Sequence, residues 1–240
     1  MAGLNFKLSD KATGISSSKA MLKPYGIYDV TLTKLEKSSF DGKKDPTKHY
    51  EVLRARFDAK EGYYEETIFF PKDKKDEERM EFDNTDRDGK PYKTYMASNV
   101  EKAMYFCLQM VANVNPDKIE AFKKRCGEVD SFDGVVDALV KCCKKGIGSF
   151  TTKLKLIGRS SNGQLVPCLP TFCKIDREGE PYMADNFIGE SVGFKPFEEA
   201  KRQAYLQATP TTMNDSTSDV TAESDDFNLD DLDLDGEPLD

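Results

Sequence analysis

Residues 27–36 read IYDVTLTKLE, residues 50–59 YEVLRARFDA and residues 63–70 YYEETIFF, and these three runs decide the fold. Apolar and polar residues alternate along the first, with Tyr28, Val30 and Leu32 on one face and Asp29, Thr31 and Thr33 on the other. That period of two is the signature of a half-buried strand. In the second run Leu53, Ala55 and Phe57 can face a core while Arg54 and Arg56 face outward. Glu61-Gly62 supplies a tight turn into the third, so 27–70 reads as a three-stranded antiparallel meander. Pro24 and Gly26 punctuate its start. The lysine-rich stretch 37–49, with Lys37, Lys43, Lys44, Lys48, Gly42 and Pro46, reads as a loop.

Working outward, residues 71–91 are highly charged and end at Asp88-Gly89, so they form a surface excursion or flap. Helices follow. Ser98-Asn99 can cap one running to about Val114, with Val100, Met104, Cys107, Leu108 and Val111 at helical spacing. Pro116 opens a second, to about Cys126. Ser131 or Asp133 starts a third, with Val136, Leu139, Val140 and Cys143 as its apolar stripe. Strands then return. Phe150, Thr152, Leu154 and Leu156 alternate with Thr151, Lys153, Lys155 and Ile157, and Ser161-Asn162-Gly163 turns into a partner strand from Leu165 to Ile175. Pro167 and Pro170 mark that partner as an edge. A turn at Glu178-Gly179 and a last helix over 194–207 complete the body. The expected class is β-rich α+β: a five-stranded OB-like antiparallel barrel with a helical insertion near 98–147. Residues 1–23 read as a flexible arm, 24–202 as the body, and 203–240 as a linker and disordered acidic tail.

Charge sharpens that division. The net charge of −8 splits into +3 for residues 1–202 and −11 for residues 203–240, which hold no lysine or arginine. Such asymmetry points to polyanion-related function. No run of 18 apolar residues occurs, so no membrane partner is expected. The first ten residues hold no apolar h-region, which makes the cytoplasm (the host cell's, if phage-encoded) the expected compartment. The six cysteines lie in apolar segments without paired spacing and read as free thiols. His49 is the single histidine. No phosphate loop, Gly-x-Ser-x-Gly motif or Cys/His dyad is present, so no enzyme, cofactor or metal is expected.

The constellation that remains is a nucleic-acid surface, where cations track phosphates and aromatic rings stack bases. Its candidate cations are Lys34, Lys43, Lys44, Arg54, Arg56, Lys153, Lys155 and Arg159; its candidate platforms are Tyr50, Tyr63, Phe69 and Phe172. In the tail, the carboxylates Asp225, Asp226, Asp230, Asp231, Asp233 and Asp235 interleave with Phe227, Leu232 and Leu234. They can compete for the same groove and dock on partner proteins. Two other classes stay open: a structural or assembly protein that uses the tail as a docking peptide, and a metal-dependent nuclease built on Glu65, Glu66, Asp83, Asp86 and Asp88.

The Lys23-Pro24-Tyr25-Gly26 approach to the first strand, the Gly163 hairpin leading into Leu165-Val166-Pro167, the Ser/Thr linker and the acidic tail carry a likeness. In this layout the chain resembles the single-stranded-DNA-binding proteins of bacteria and their bacteriophages. The resemblance implies non-sequence-specific binding of single-stranded DNA in replication and recombination, with the tail recruiting a polymerase, helicase or primase. The long helical stretch fits a phage-encoded protein, monomeric or weakly self-associating, better than a compact bacterial tetramer.

Overall fold

The computed structural model describes residues 20–43, 45–72 and 74–208. The arm up to residue 19, Lys44, and the whole acidic tail from residue 209 lie outside the described residues. The fold is mixed α+β, built on a five-stranded antiparallel sheet. Its strands are β1 (Gly26–Asp41), β2 (His49–Ala59), β3 (Tyr63–Phe69), β6 (Thr151–Ser161) and β7 (Gln164–Cys168), in the order β3-β2-β1-β6-β7. Two small hairpins accompany it: β4 (Met80–Thr85) with β5 (Pro91–Met96), and β8 (Cys173–Ile175) with β9 (Pro181–Met183).

β1 is the hub of the sheet. Its first residues pair with β6, from Gly26↔Leu156 to Thr31↔Thr151, and the ladder to β2 runs from Val30↔Ala59 to Asp41↔His49. The register slips between Leu32 and Lys34, leaving Thr33 as the extra residue of a bulge, where its hydroxyl donates to Asp58 Oδ2 at 2.7 Å. One extra residue shifts the side-chain alternation by one. The buried series therefore runs Val30, Leu32, Leu35 rather than continuing every second position. β1 also continues five residues past Glu36, into the stretch read as loop, so the connection to β2 shrinks to 42–48. Cross-strand partners override local propensity there: Phe40 lies opposite Tyr50 and Ser38 opposite Val52.

Leu53, Ala55 and Phe57 point into the core as the alternation predicts, and each is fully buried. They share one buried cluster with Phe106, Met110, Val136 and Leu139 from the helices. Each such Leu or Phe gains ~1.5–3 kcal/mol from burial. The helices are α2 (Asn99–Val114), α3 (Ile119–Cys126) and α4 (Phe132–Cys143). Ser98 caps α2 in a capping box, its Oγ accepting from the Glu101 amide while Glu101 accepts from the Ser98 amide. Ser131 caps α4 through the Gly134 amide.

The buried arc of α2 is rotated from the expected stripe: Cys107 and Val111 are buried together with Ala103, Phe106, Gln109 and Met110, while Val100, Met104 and Leu108 are half-buried. The cause is a second layer. Phe106 stacks on Phe187 with ring centroids 5.2 Å apart, and Gln109 bonds the backbone of Asp185 and Phe187.

The charged excursion after β3 folds into the short helix α1 (Lys74–Glu77) and the β4–β5 hairpin, whose turn is closed by Asp86 Oδ1 accepting the amides of Asp88 and Lys90. The expected strand from Leu165 to Ile175 is two strands, β7 and β8, because the Leu169-Pro170 segment cannot continue a ladder. β7 is an edge strand, as Pro167 within it requires. The hairpin turn before it falls at Asn162 (φ 48°) and Gly163 (φ 75°), the positive-φ pair of a type I′ turn. The last helix, α5, spans Pro196–Ala208. Among the described residues no ladder joins β3 to β7, so the sheet is open. No helix among them is long and apolar enough to cross a membrane.

Candidate nucleic-acid interface

The outer face of β1, β2 and β3 follows from their registers. Phe40↔Tyr50 and Val52↔Phe69 bring three aromatic rings together at one end. Phe40 and Tyr50 stack at 5.5 Å, and Phe69 meets both edge-on at 6.0 and 5.7 Å. Phe40 is 36% and Phe69 37% exposed. Cations ring this patch. Lys72 Nζ lies 5.3 Å from the Tyr50 ring centre and donates to the His49 carbonyl; the Arg54 guanidinium lies 6.0 Å from the Phe40 ring centre. Arg54 Nε is buried and has no hydrogen-bond partner among the described residues.

Of the residues proposed from sequence, Tyr50 and Phe69 belong to this patch, and Arg54 borders it. Phe40 was missed because Ser38-Ser39 and Gly42-Lys43 around it read as loop; the signal that finds it is its position directly opposite Tyr50. Arg56 and Tyr63 lie further along the same face, the guanidinium 4.1 Å above the ring. Lys34 is on this face too, and Lys43 is exposed in the 42–48 loop.

The strand cations are not spare charges. Lys34 pairs with Glu36 at 2.9 Å, Arg56 with Asp58 at 3.3 Å, and Arg54 approaches Glu65 at 3.8 Å. The middle of the face is therefore close to neutral, and the patch is distinguished by its rings.

Two expected contacts are corrected. Lys155 does lie on the outer face of β6 but is completely buried. The segment after β9 first pairs alongside β6, the Lys155 amide donating to Phe187 O at 2.8 Å and Gly189 to Lys153 O at 3.0 Å, and then closes over the side chain. Lys155 Nζ bonds Asp185 at 2.7 Å, Glu198 at 3.2 Å and Gly193 O at 3.0 Å. It is a structural tie between β6 and α5. Phe172 is likewise a packing residue, with its ring 6.3 Å from Phe106 and 5.4 Å from Phe187. Lys153 is half-buried.

Arg159 is exposed on β6, near the open seam between β3 and β7. Glu66 of β3 occupies that seam, accepting a hydrogen bond from the Tyr64 hydroxyl. Burial pushes its carboxyl up to about 7, against the pull of the Tyr64 hydrogen bond and the Arg159 charge. Its protonated form is favoured on folding, so its contribution to stability is present near its ordinary value of 4.5 and lost as pH rises toward 7. Between those limits the wild type is expected to lose ~2 kcal/mol relative to Glu66→Gln. Urea melts of both proteins across this range check it, and parallel stability curves contradict it.

The carboxylates considered for a nuclease are dispersed. Glu65 and Glu66 face opposite sides of β3, and Asp83, Asp86 and Asp88 sit on the β4–β5 hairpin. Among the described residues no group of three or more His, Cys, Asp or Glu side chains is placed to hold a metal ion. All six cysteines are free, and burial raises the thiols of Cys168 and Cys173 to about 11. Compared with known protein families, curated proteins and solved structures, the chain matches none.

Proposed function

We propose that the chain binds single-stranded DNA without sequence preference across the outer face of β1, β2 and β3, in replication or recombination. The observation that carries this reading is the ring trio of exposed Phe40 and Phe69 about half-buried Tyr50 on an open antiparallel sheet, edged by Lys72 and Arg54. Each unpaired base offers a ring face to such a platform whatever its identity. The strand order adds support. β3-β2-β1-β6-β7, with helices between the third and fourth strands of the sheet, is the order of an OB-type barrel left open between β3 and β7. Its two edges approach through side chains, Glu66 lying within electrostatic reach of both Arg159 and Cys168. OB folds take oligonucleotides on their second and third strands and the adjoining loops.

The acidic tail, with Asp225, Asp226, Phe227, Asp230, Asp231, Leu232, Asp233, Leu234 and Asp235, competes for that face and reaches a polymerase, helicase or primase. α5, which leads into it, is docked on the sheet by Glu198 against Lys155 and by Tyr205, whose ring is 5.8 Å from that of Tyr25.

Because the strand cations already have carboxylate partners, stacking supplies more of the affinity than charge. Exposed lysines flank the aromatic end and supply phosphate contacts by their position: Lys43, Lys48 and Lys72. About three such contacts give a slope of log K against log salt near −2. Deleting residues 209–240 is expected to tighten binding several-fold at low salt, an effect that fades as salt screens the tail. Titration of both chains with poly(dT) at several salt concentrations measures slope and tail effect together. A truncated chain that binds no tighter than the full one removes the competition.

A further inference from the structure

The β4–β5 hairpin has no role in the proposed face, yet it is not a bland loop. Its register puts Phe82 opposite Thr94 and Asn84 opposite Tyr92, so Phe82 and Tyr92 are diagonal neighbours on one side. Each is 37% exposed, and no residue of β4 is buried. Exposed rings side by side on a ribbon whose β4 strand has no buried residue leave ring faces open for a planar ligand to stack on.

An arginine lies beside them. Arg177, on the turn between β8 and β9, has no ion-pair partner among the described residues; its guanidinium lies 5.7 Å from the centre of the Tyr92 ring. Asp86, Tyr92, Lys93, Tyr95 and Arg177 together line an open cleft of ≈ 270 Å³. The other charges there are engaged, Lys93 by Glu81 and Asp86 by the turn amides of Asp88 and Lys90. What remains for a ligand is one guanidinium and two tyrosine rings. That set suits a base with its neighbouring phosphate.

Chain continuity gives the occupant. The hairpin follows directly from the aromatic end: Phe69 closes β3, Lys72 edges the patch, and Asp76 of α1 accepts both the Lys72 amide (2.9 Å) and the Asn99 side-chain amide (3.0 Å) beside the hairpin's base.

We propose that the cleft between the β4–β5 hairpin and the β8–β9 turn is a second contact for the same DNA strand, taking one base against Tyr92 and a phosphate on Arg177. The inference rests on the strand-binding reading above. It is tested with full-length wild type, Tyr92→Ala, Arg177→Ala and Phe69→Ala, titrated with labelled oligo(dT) of ~8 and ~30 nucleotides, within and well above the site size of a single fold. Tyr92→Ala and Arg177→Ala are expected to bind the long strand about tenfold more weakly and the short one unchanged, while Phe69→Ala weakens both. Both hairpin-site substitutions remove exposed side chains, and a melt identical to wild type confirms that the fold is kept. Hairpin-site variants that match wild type on the long strand, or lose as much on the short one, overturn the second contact alone. A wild type that binds neither length overturns the strand-binding reading and this inference together.

Discussion

Lys155→Met is expected to cost ~3–5 kcal/mol of stability, the largest effect of any single substitution considered for this fold. The side chain is completely buried, and its ammonium is held by Asp185, Glu198 and the Gly193 carbonyl. Methionine fills the aliphatic volume but leaves Glu198, itself 4% exposed, without its cation. Asp185 retains Lys195 at 3.3 Å. An uncompensated buried carboxylate is far more expensive than an absent ion pair, because its desolvation is no longer offset. For a body of this size the loss corresponds to a melting temperature lower by ~10 °C or more. Lys153→Met, two residues away on the same strand and half-buried, is the control and is expected to stay within ~0.5 kcal/mol. Thermal melts of the two variants that superimpose would remove the structural role assigned to Lys155.

The second large effect concerns binding. Phe40→Ala and Phe69→Ala are each expected to weaken binding to poly(dT) about tenfold, within the ~1–3 kcal/mol that a base–aromatic stack supplies. Their rings touch each other, so the double variant is expected to lose less than the product of the two. Both side chains are more than a third exposed, and neither belongs to the buried cluster, so stability is expected to hold. Arg56→Ala is the informative contrast. Its guanidinium is engaged by Asp58 and lies over Tyr63, so its removal is expected to change poly(dT) affinity by less than either phenylalanine does. Fluorescence anisotropy of a labelled oligonucleotide reads all four variants. Loss of affinity on Arg56→Ala that exceeds the loss on Phe69→Ala would make the face an electrostatic one.

Much of the architecture was legible because it depends on local pattern. The alternation of Leu53, Ala55 and Phe57, the caps at Ser98 and Ser131, and the Asn162-Gly163 turn each follow from a few neighbouring residues. What was not legible depends on residues far apart in sequence. The bulge at Thr33 becomes visible only when β1 is laid against β2. Phe40 sits in a stretch whose composition reads as loop and becomes strand because Tyr50 and Val52 hold it there.

The site residues divide on the same principle. Tyr50 and Phe69 could be chosen from strand periodicity alone. Lys155 could not be rejected that way, since the alternation does put it on the outer face. It is the return of the Asp185–Glu198 segment thirty residues later that buries it. The carboxylates Glu36, Asp58 and Glu65, which neutralise the strand cations, were equally present in the sequence. They acquire meaning once the register places them beside Lys34, Arg56 and Arg54. That change of partner moves the proposed recognition from phosphate neutralisation toward base stacking.

The most direct measurement is a titration of full-length protein with labelled poly(dT) and with duplex DNA of equal length, repeated on the Phe40→Ala/Phe69→Ala chain. The proposed function predicts saturable binding to the single strand, much weaker binding to the duplex, and marked loss of single-strand affinity in the double variant with an unchanged melt. Equal affinity for both DNAs, or a double variant that binds poly(dT) as the wild type does, would contradict it.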